Sequence, residues 1–284
     1  MSSAHPSLRF FAVRERRSEM CAMRRLRSLP GLLVVALILL AAAVASAQTV
    51  SRLDQIIQRG YVRVGTTGDY KPFSYLNPAS NEYEGHDIDA ARLLAESLEV
   101  QVRFVNTTWP TLLKGLQEDQ YDIAMCGITR TMPRQRVAAL THPYINVGKS
   151  PLIRAADRQR FKGLADIDQP GVKIGVNPGG TNQRFVDASI KKATVVVIEK
   201  NLSIPEKIAA GEVDVMITDN VEAMLVARQD PRLYAVDPEN TYTRDDFGYL
   251  LPRDDQAWVN YVNLWVELMR LKGGFARLQQ KWIR

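Results

Sequence analysis

Val213-Asp-Val-Met-Ile-Thr-Asp-Asn-Val-Glu-Ala223 decides the fold. Val213 to Ile217 is a short apolar run rich in β-branched residues, the signature of a buried strand. At Thr218-Asp219 the character changes to a helix N-cap pair, and Val221-Glu-Ala-Met-Leu-Val-Ala227 has helix-forming composition. A carboxylate therefore falls where a strand ends and a helix begins, the edge at which open α/β sheets bind ligands. Two readings stay open for Asp219, a simple N-cap and a site carboxylate. Glu222 follows three residues later on the same face of the first turn. On this stretch alone it reads as a solvated residue favoured by the helix dipole.

The same alternation runs outward in both directions. Strands are expected at Tyr61–Gly65, Val100–Val105, Tyr121–Cys126, Val172–Val176, Thr194–Ile198, Tyr234–Val236 and Phe247–Leu251, with helical segments between most of them and two helices at the end. Strand and helix in turn predict an α/β fold with mostly parallel sheets flanked by helices. The polar strand-end loops fall into two groups, which predicts two lobes facing across a cleft. Residues 48–150 with 248–284 are expected to form one lobe and 153–245 the other. The crossings near Lys149–Arg154 and Asp245–Tyr249 make a two-crossing hinge.

The chain has 284 residues, and Gly31–Ala47 is an apolar run preceded by Arg24, Arg25 and Arg27 and ending in Ala45-Ser46-Ala47. That pattern is a secretory signal peptide over residues 1–47, with translation starting at Met1, Met20 or Met23. The leader holds seven of the 37 Lys and Arg and two of the 31 Asp and Glu, so the rest carries 30 against 29, a net of +1. The basic pI belongs to the leader, and nothing points to a nucleic-acid partner. Of the two cysteines, Cys21 leaves with the leader. Cys126 ends a buried strand and reads as a core residue without a disulfide partner. Export without disulfides suits a bacterial periplasm, with no membrane contact once the leader is gone.

Several residues are chemically suggestive. Asn177-Pro-Gly-Gly-Thr-Asn182 is a turn at a helix start, whose N–H groups and Thr181 hydroxyl fit an anion site or a plain turn. Arg134 and Arg136 follow a strand end beside Thr129 and Thr131, where an Arg grips a carboxylate or forms part of a solvated patch. Asp69, Tyr70, Lys71 and Phe73 make a first-strand loop with one packed aromatic. Lys149 sits at a crossing and faces the cleft or solvent. Trp109 before Pro110 is a helix staple or a stacking wall. His86 and His142 lack metal-ligand spacing, and there is no Ser-His-Asp arrangement. Carboxylate, lysine and hydroxyl chemistry remain.

These residues carry a resemblance to the bacterial extracellular solute-binding proteins of the polar amino acid type. Thr129 with Thr131-x-x-Arg134 is similar to that family's carboxylate-gripping segment, Gly179-Gly-Thr181 to its second anion loop, and Asp219 to its amine-side acid. Thr66-Thr-Gly-Asp-Tyr-Lys-Pro-Phe-Ser-Tyr75, Asp122-Ile-Ala-Met-x-Gly127, Gly148-Lys149, Asn177–Asn182 and Thr218-Asp-x-x-Glu-Ala223 resemble more closely a catalytic branch of the family, the periplasmic cyclohexadienyl dehydratases. Arg130 and Pro133 depart from that branch. The resemblance implies a periplasmic binding protein-like fold and a dehydratase acting on prephenate and L-arogenate. It implies Glu222 as general acid, with Lys149, Asp69, Arg134, Asn177 and Asn182 around the substrate. Thr129, Thr181 and Asp219, from the wider family's pattern, and Phe73 and Trp109, from the loop readings above, complete the candidate site, with Glu222 and Lys149 as its catalytic pair. No metal or organic cofactor is implied. The alternative is a non-catalytic receptor delivering an amino acid or carboxylate to an ABC permease. Fold alone does not separate the two, and Glu222 beside Asp219 is the discriminating pair.

Overall fold

The structure is a computed structural model that describes residues 50–284. The expected leader, with Cys21, lies outside the described residues. Ser51–Arg284 forms one compact unit. Among the described residues no helix is long and apolar enough to cross a membrane.

The chain opens with α1 (Arg52–Arg59), whose Ser51 cap accepts from the Leu53 N–H, and β1 (Tyr61–Thr66). Next comes an antiparallel meander, β2 (Asp69–Tyr70), β3 (Ser74–Asn77) and β4 (Glu82–Glu84), where the sequence reads as loop. Then follow α2 (His86–Ser97), β5 (Gln101–Asn106), α3 (Leu112–Gln117), β6 (Ile123–Thr129), α4 (Met132–Gln135), β7 (Ala139–Leu140) and β8 (Ile145–Val147). The second half holds β9 (Lys149–Arg154), α5 (Leu164–Ile167), β10 (Lys173–Val176), α6 (Thr181–Ser189), β11 (Thr194–Val197), α7 (Ile204–Ala209), β12 (Val215–Asp219), α8 (Asn220–Gln229) and β13 (Leu233–Ala235). The chain returns through β14 (Asp245–Leu251), α9 (Gln256–Leu271) and α10 (Gly274–Trp282).

Two larger sheets result. The first has the order β5-β1-β6-β14-β7, with β8 also on β14, and the second β11-β10-β12-β9-β13. Each is parallel where strands and helices alternate, β5-β1-β6 and β11-β10-β12. Each turns antiparallel where a crossing strand arrives from the opposite lobe: β14 against β6, and β9 against β12. The alternation rule sees only the parallel half, because it describes βαβ units and not strands that enter through a hinge.

Both faces of both sheets are covered. Along β6, Ile123 and Met125 join one apolar cluster while Ala124, Cys126 and Ile128 join the cluster on the other side. Along β12, Val215 and Ile217 pack with Ile153 and Ile174, and Met216 with Leu152 and Ile204. Strand side chains alternate faces, so an unbroken apolar run is what a doubly covered strand requires. Each buried Ile, Val, Leu or Met among them contributes about 1.5–3 kcal/mol. Cys126 is buried in the first lobe's core.

The passage from the first sheet to the second is short. Gly148 alone separates β8 from β9. A Cβ on Gly148 would lie 2.2 Å from the Thr241 hydroxyl oxygen and 2.2 Å from the Thr243 carbonyl, so the two crossing segments touch and only glycine fits between them. The Lys149 N–H donates to the Thr243 hydroxyl at 3.0 Å, and the Tyr242 N–H donates to the Lys149 carbonyl at 2.7 Å.

Candidate active site

The strand that decides the fold runs two residues later than its composition suggests, Val215–Asp219, with α8 starting at Asn220. Asp219 stands at the N-cap position, yet its side chain makes no capping bond. The reason lies on the neighbouring strand. Antiparallel pairing sets Asp219 opposite Lys149, and the lysine Nζ donates to Asp219 Oδ1 at 2.9 Å. The other carboxylate oxygen accepts from the Tyr70 hydroxyl at 2.6 Å, across from the first lobe. A capping donor is worth about 1 kcal/mol, less than a buried ion pair loses when one partner is taken away.

Lys149 is 2% exposed. Its remaining ammonium protons go to the Thr181 hydroxyl at 3.0 Å and Asn182 Oδ1 at 2.6 Å. From Asn182 a directed chain continues: its Nδ2 donates to the Thr218 hydroxyl at 3.1 Å, and Thr218 donates to Glu222 Oε2. Glu222 lies one turn into α8 and is 4% exposed, not solvated as its local sequence suggests. Burial pushes its carboxyl up to about 8. The Thr218 hydrogen bond and Lys149 pull against this, while the charges of Asp219 and Asp69 add to it. At neutral pH Glu222 therefore holds a proton, and Thr218 engages only one of its two oxygens.

The first lobe supplies a different wall. Trp109 Nε1 donates to Asp69 Oδ1 at 3.1 Å, and the Trp109 ring meets Tyr70 edge-on at 5.7 Å. Burial raises the Asp69 carboxyl above its ordinary value, against the hydrogen bond from Trp109. Gly127 has φ +74°, and a Cβ there would lie 2.5 Å from the Tyr70 ring, so Tyr70 reaches Asp219 only over a glycine. The Gly127 N–H donates to buried Asp87 at 2.6 Å. Arg134 is buried behind the end of β6 and donates to the Thr129 carbonyl at 2.6 Å. Burial, with the Arg184 charge, pulls its guanidinium down to about 10.

The two walls meet around a cavity lined by Tyr70, Trp109, Gly127 and Thr129 from the first lobe and by Asn177, Gly180, Thr181, Asn182, Asn201 and Asp219 from the second. The Thr129 and Thr181 hydroxyls touch across it at 3.1 Å, and Asn201 Nδ2 donates to the Asp69 carbonyl at 2.9 Å. The cavity encloses about 20 Å³. That is room for a water and far below the roughly 300–1,000 Å³ of an occupied ligand pocket.

Of the expected residues, Trp109, Thr129, Asn177, Thr181, Asn182 and Asp219 line the cavity, while Asp69, Arg134, Lys149 and Glu222 lie behind it, hydrogen-bonded to Trp109, Thr129, Asp219 and Thr218 respectively. Phe73 is fully buried in the first core, stacked on Tyr70 at 5.5 Å and edge-on to Phe247 at 5.0 Å. It backs the wall and does not face the cavity, because the turn after β2 sends it inward. Arg136 is exposed, Arg130 pairs with Asp246 at 3.1 Å, and Lys71 lies over the Tyr75 ring at 3.9 Å. Thr218 and Asn201 are not among the expected site residues, and Tyr70 is expected only as part of the first-strand loop. Asn201 follows the end of β11, so the strand-end rule that found Asn177 and Asp219 would have found it too.

Comparison with known proteins places the chain among relatives. Residues 62–284 match the family of bacterial extracellular solute-binding proteins, family 3. The chain is 43% identical over 247 residues, 87% of its length and 91% of the relative's, to a cyclohexadienyl dehydratase of Pseudomonas aeruginosa. An ancestral amino acid-binding protein, described as a precursor of cyclohexadienyl dehydratase, superposes with a TM-score of 0.78 at 33% identity, covering 82% of this chain and all of that one. An ancestral cyclohexadienyl dehydratase is 49% identical with a TM-score of 0.53, covering 83% of this chain and 97% of that one.

Proposed function

We propose that this chain, which belongs to family 3 of the bacterial extracellular solute-binding proteins, is a periplasmic dehydratase that converts prephenate to phenylpyruvate and L-arogenate to L-phenylalanine. One observation carries the reading. Glu222 is buried, with one carboxyl oxygen held by Thr218, and that burial pushes its carboxyl up to about 8, which favours the protonated form at neutral pH. A carboxyl in that state is a general acid in waiting.

The reaction needs such an acid. Prephenate carries two carboxylates and a ring hydroxyl, and hydroxide is a poor leaving group. Glu222 delivers its proton to the ring hydroxyl oxygen, the C–O bond breaks, and water departs. The bond from the ring to its carboxylate breaks with it, its electron pair enters the ring, and CO₂ leaves an aromatic product. Glu222 is left as a carboxylate and regains its proton from solvent. Arg134 and the Thr129–Thr181 pair anchor the side-chain carboxylate, since the bond to the Thr129 carbonyl uses only one of the guanidinium's N–H groups. Lys149 offers its positive charge to the carboxylates and keeps Asn182 and Thr218 in line.

The Lys149–Asp219 pair also argues against a pure amino acid receptor. In a receptor the amine-side acid awaits a ligand ammonium, whereas here Lys149 and Tyr70 already satisfy Asp219. The two lobes hinge at Gly148 and at the return into β14, and close over the substrate. The better superposition falls to the less identical relative, as lobes compared at different openings would give. Small-angle scattering with a non-reacting analogue should record compaction, and an unchanged profile at saturation removes the hinge. The deciding experiment mixes purified protein with prephenate and with L-arogenate and follows phenylpyruvate and phenylalanine. Tight binding without either product returns the chain to the receptors.

A further inference from the structure

We infer that Asn201 is a substrate-positioning residue that makes lobe closure depend on a hydrogen-bond donor carried by the ligand. It stands at the carboxyl edge of the second sheet, opening the short turn Asn201–Ser203 after β11. Its side chain is 2% exposed and lines the cavity. Its Nδ2 donates to the Asp69 carbonyl at 2.9 Å, from one lobe to the other. A carbonyl only accepts, so that bond fixes which end of the amide is oxygen. The oxygen is left buried, and no described residue offers it a donor.

A buried amide oxygen without a donor is costly, and native interiors rarely leave one so. Closing the lobes brings Asn201 to Asp69 and seals that oxygen away from bulk water in the same movement. The closed state is therefore favoured most when the ligand presents an O–H or N–H at this point. A carboxylate placed there would meet oxygen against oxygen. Asn201 thus also turns the substrate's carboxylates away from itself, toward Arg134 and Thr181. Asn177 Oδ1 shares this unpaired state, but among the two only Asn201 bonds across the cleft. This inference rests on the dehydratase reading for the identity of the donor. The candidates are the ring hydroxyl, common to prephenate and L-arogenate, and the ammonium, which of the two only L-arogenate has.

The test is a set of calorimetric affinities in a Glu222→Gln background, which prevents turnover from distorting them. Prephenate, L-arogenate and phenylpyruvate, a keto acid with neither ring hydroxyl nor ammonium, are titrated with and without Asn201→Ala. The expected result is a loss of about tenfold or more for L-arogenate, shared by prephenate if the ring hydroxyl is the donor, and under about threefold for phenylpyruvate. Equal losses for prephenate and L-arogenate assign the hydroxyl, and a larger loss for L-arogenate assigns the ammonium. Equal losses for all three ligands would overturn the inference, because Asn201 would then be only a tie between lobes. Unchanged affinities would overturn it as well. If Asn201→Ala does not fold, the near-isosteric Asn201→Leu is read the same way. Wild-type product formation is scored separately, so a protein that turns over neither substrate sinks the dehydratase reading while the affinities still judge Asn201.

Discussion

The two walls of the cleft are built on different principles. The second-lobe wall is a charged relay: Asp219, Lys149, Asn182, Thr218 and Glu222, each bonded to the next and each buried. The first-lobe wall is mostly shape: Tyr70 and Trp109 at the surface, Phe73 behind, and one buried cation in Arg134. The difference teaches a division of labour. Moving a proton needs a group whose charge state is set before the substrate arrives, and that takes a fixed network. Holding a substrate needs surfaces that can part and return. Asp219 and Glu222 sit three residues apart on the second wall, yet one is an ion-pair partner and the other a buried acid. Only their neighbours distinguish them.

The largest effect should come from the second wall. Glu222→Gln keeps shape but cannot deliver a proton, and kcat should fall by roughly 10²–10⁴-fold while affinity changes far less. In the wild type, kcat should decline as pH rises through about 8, where Glu222 loses its proton, and this limb should vanish from the residual rate of the variant. Activity that persists in Glu222→Gln with its limb intact would break the comparison, and Asp219 would be the next acid to test.

Stability should follow the same group. The folded-state pKa of Glu222 is raised from an ordinary 4.5 to about 8. Its proton thus favours the folded state fully below pH ~4.5, and that contribution is lost as pH rises through 8. Glu222→Gln should lose no such contribution, so its stability relative to wild type should improve between pH 5 and 9, by up to about 4 kcal/mol. Denaturant midpoints across that range check it, and parallel curves would mean Glu222 titrates normally.

The first wall should show the opposite signature. Arg134→Ala should weaken substrate binding by about 1.5–3 kcal/mol with little change in the pH limb, and Arg134→Lys should recover only part of it. Melting temperature must accompany the measurement, because Arg134 also holds the Thr129 carbonyl. A shift of the pH limb in Arg134→Ala would blur the division between walls. The smallest effect belongs to the contact joining them. Tyr70→Phe removes one of two partners of Asp219 while Lys149 remains. KM should rise by roughly 2–10-fold, about 0.5–1.5 kcal/mol, with kcat nearly kept. A fall in kcat as deep as that of Glu222→Gln would make Tyr70 part of the relay.

Much of this was legible in the chain. The strand at Asp219, the anion turn at Thr181 and the crossing at Lys149 follow from periodicity and strand-end chemistry, which are local. The use of Asp219 was not legible, because it depends on Lys149, a strand partner 70 positions earlier. The burial of Glu222 was invisible for the same reason: first-turn composition reports a helix dipole and not what packs above it. The resemblance to known dehydratases suggests a role for it where propensity suggests none. Phe73 failed as a site residue because an aromatic in a cleft loop reads the same whether it faces ligand or core. The antiparallel halves of the sheets went unread, since strands entering through a hinge carry no crossover helix to announce them.

The position of β14 has a consequence for how the molecule comes into being. In the first sheet it lies between β6 and β7, with Phe247 paired to Thr129, although more than a hundred residues separate them along the chain. The second sheet, by contrast, is assembled wholly from Lys149–Ala235. As the chain emerges from the ribosome, the second lobe has all its strands first. The first lobe must wait, its β6 edge unpaired, until the segment carrying β14 returns and the long loop is closed. That delay keeps the earliest-made part of the polypeptide unlocked the longest.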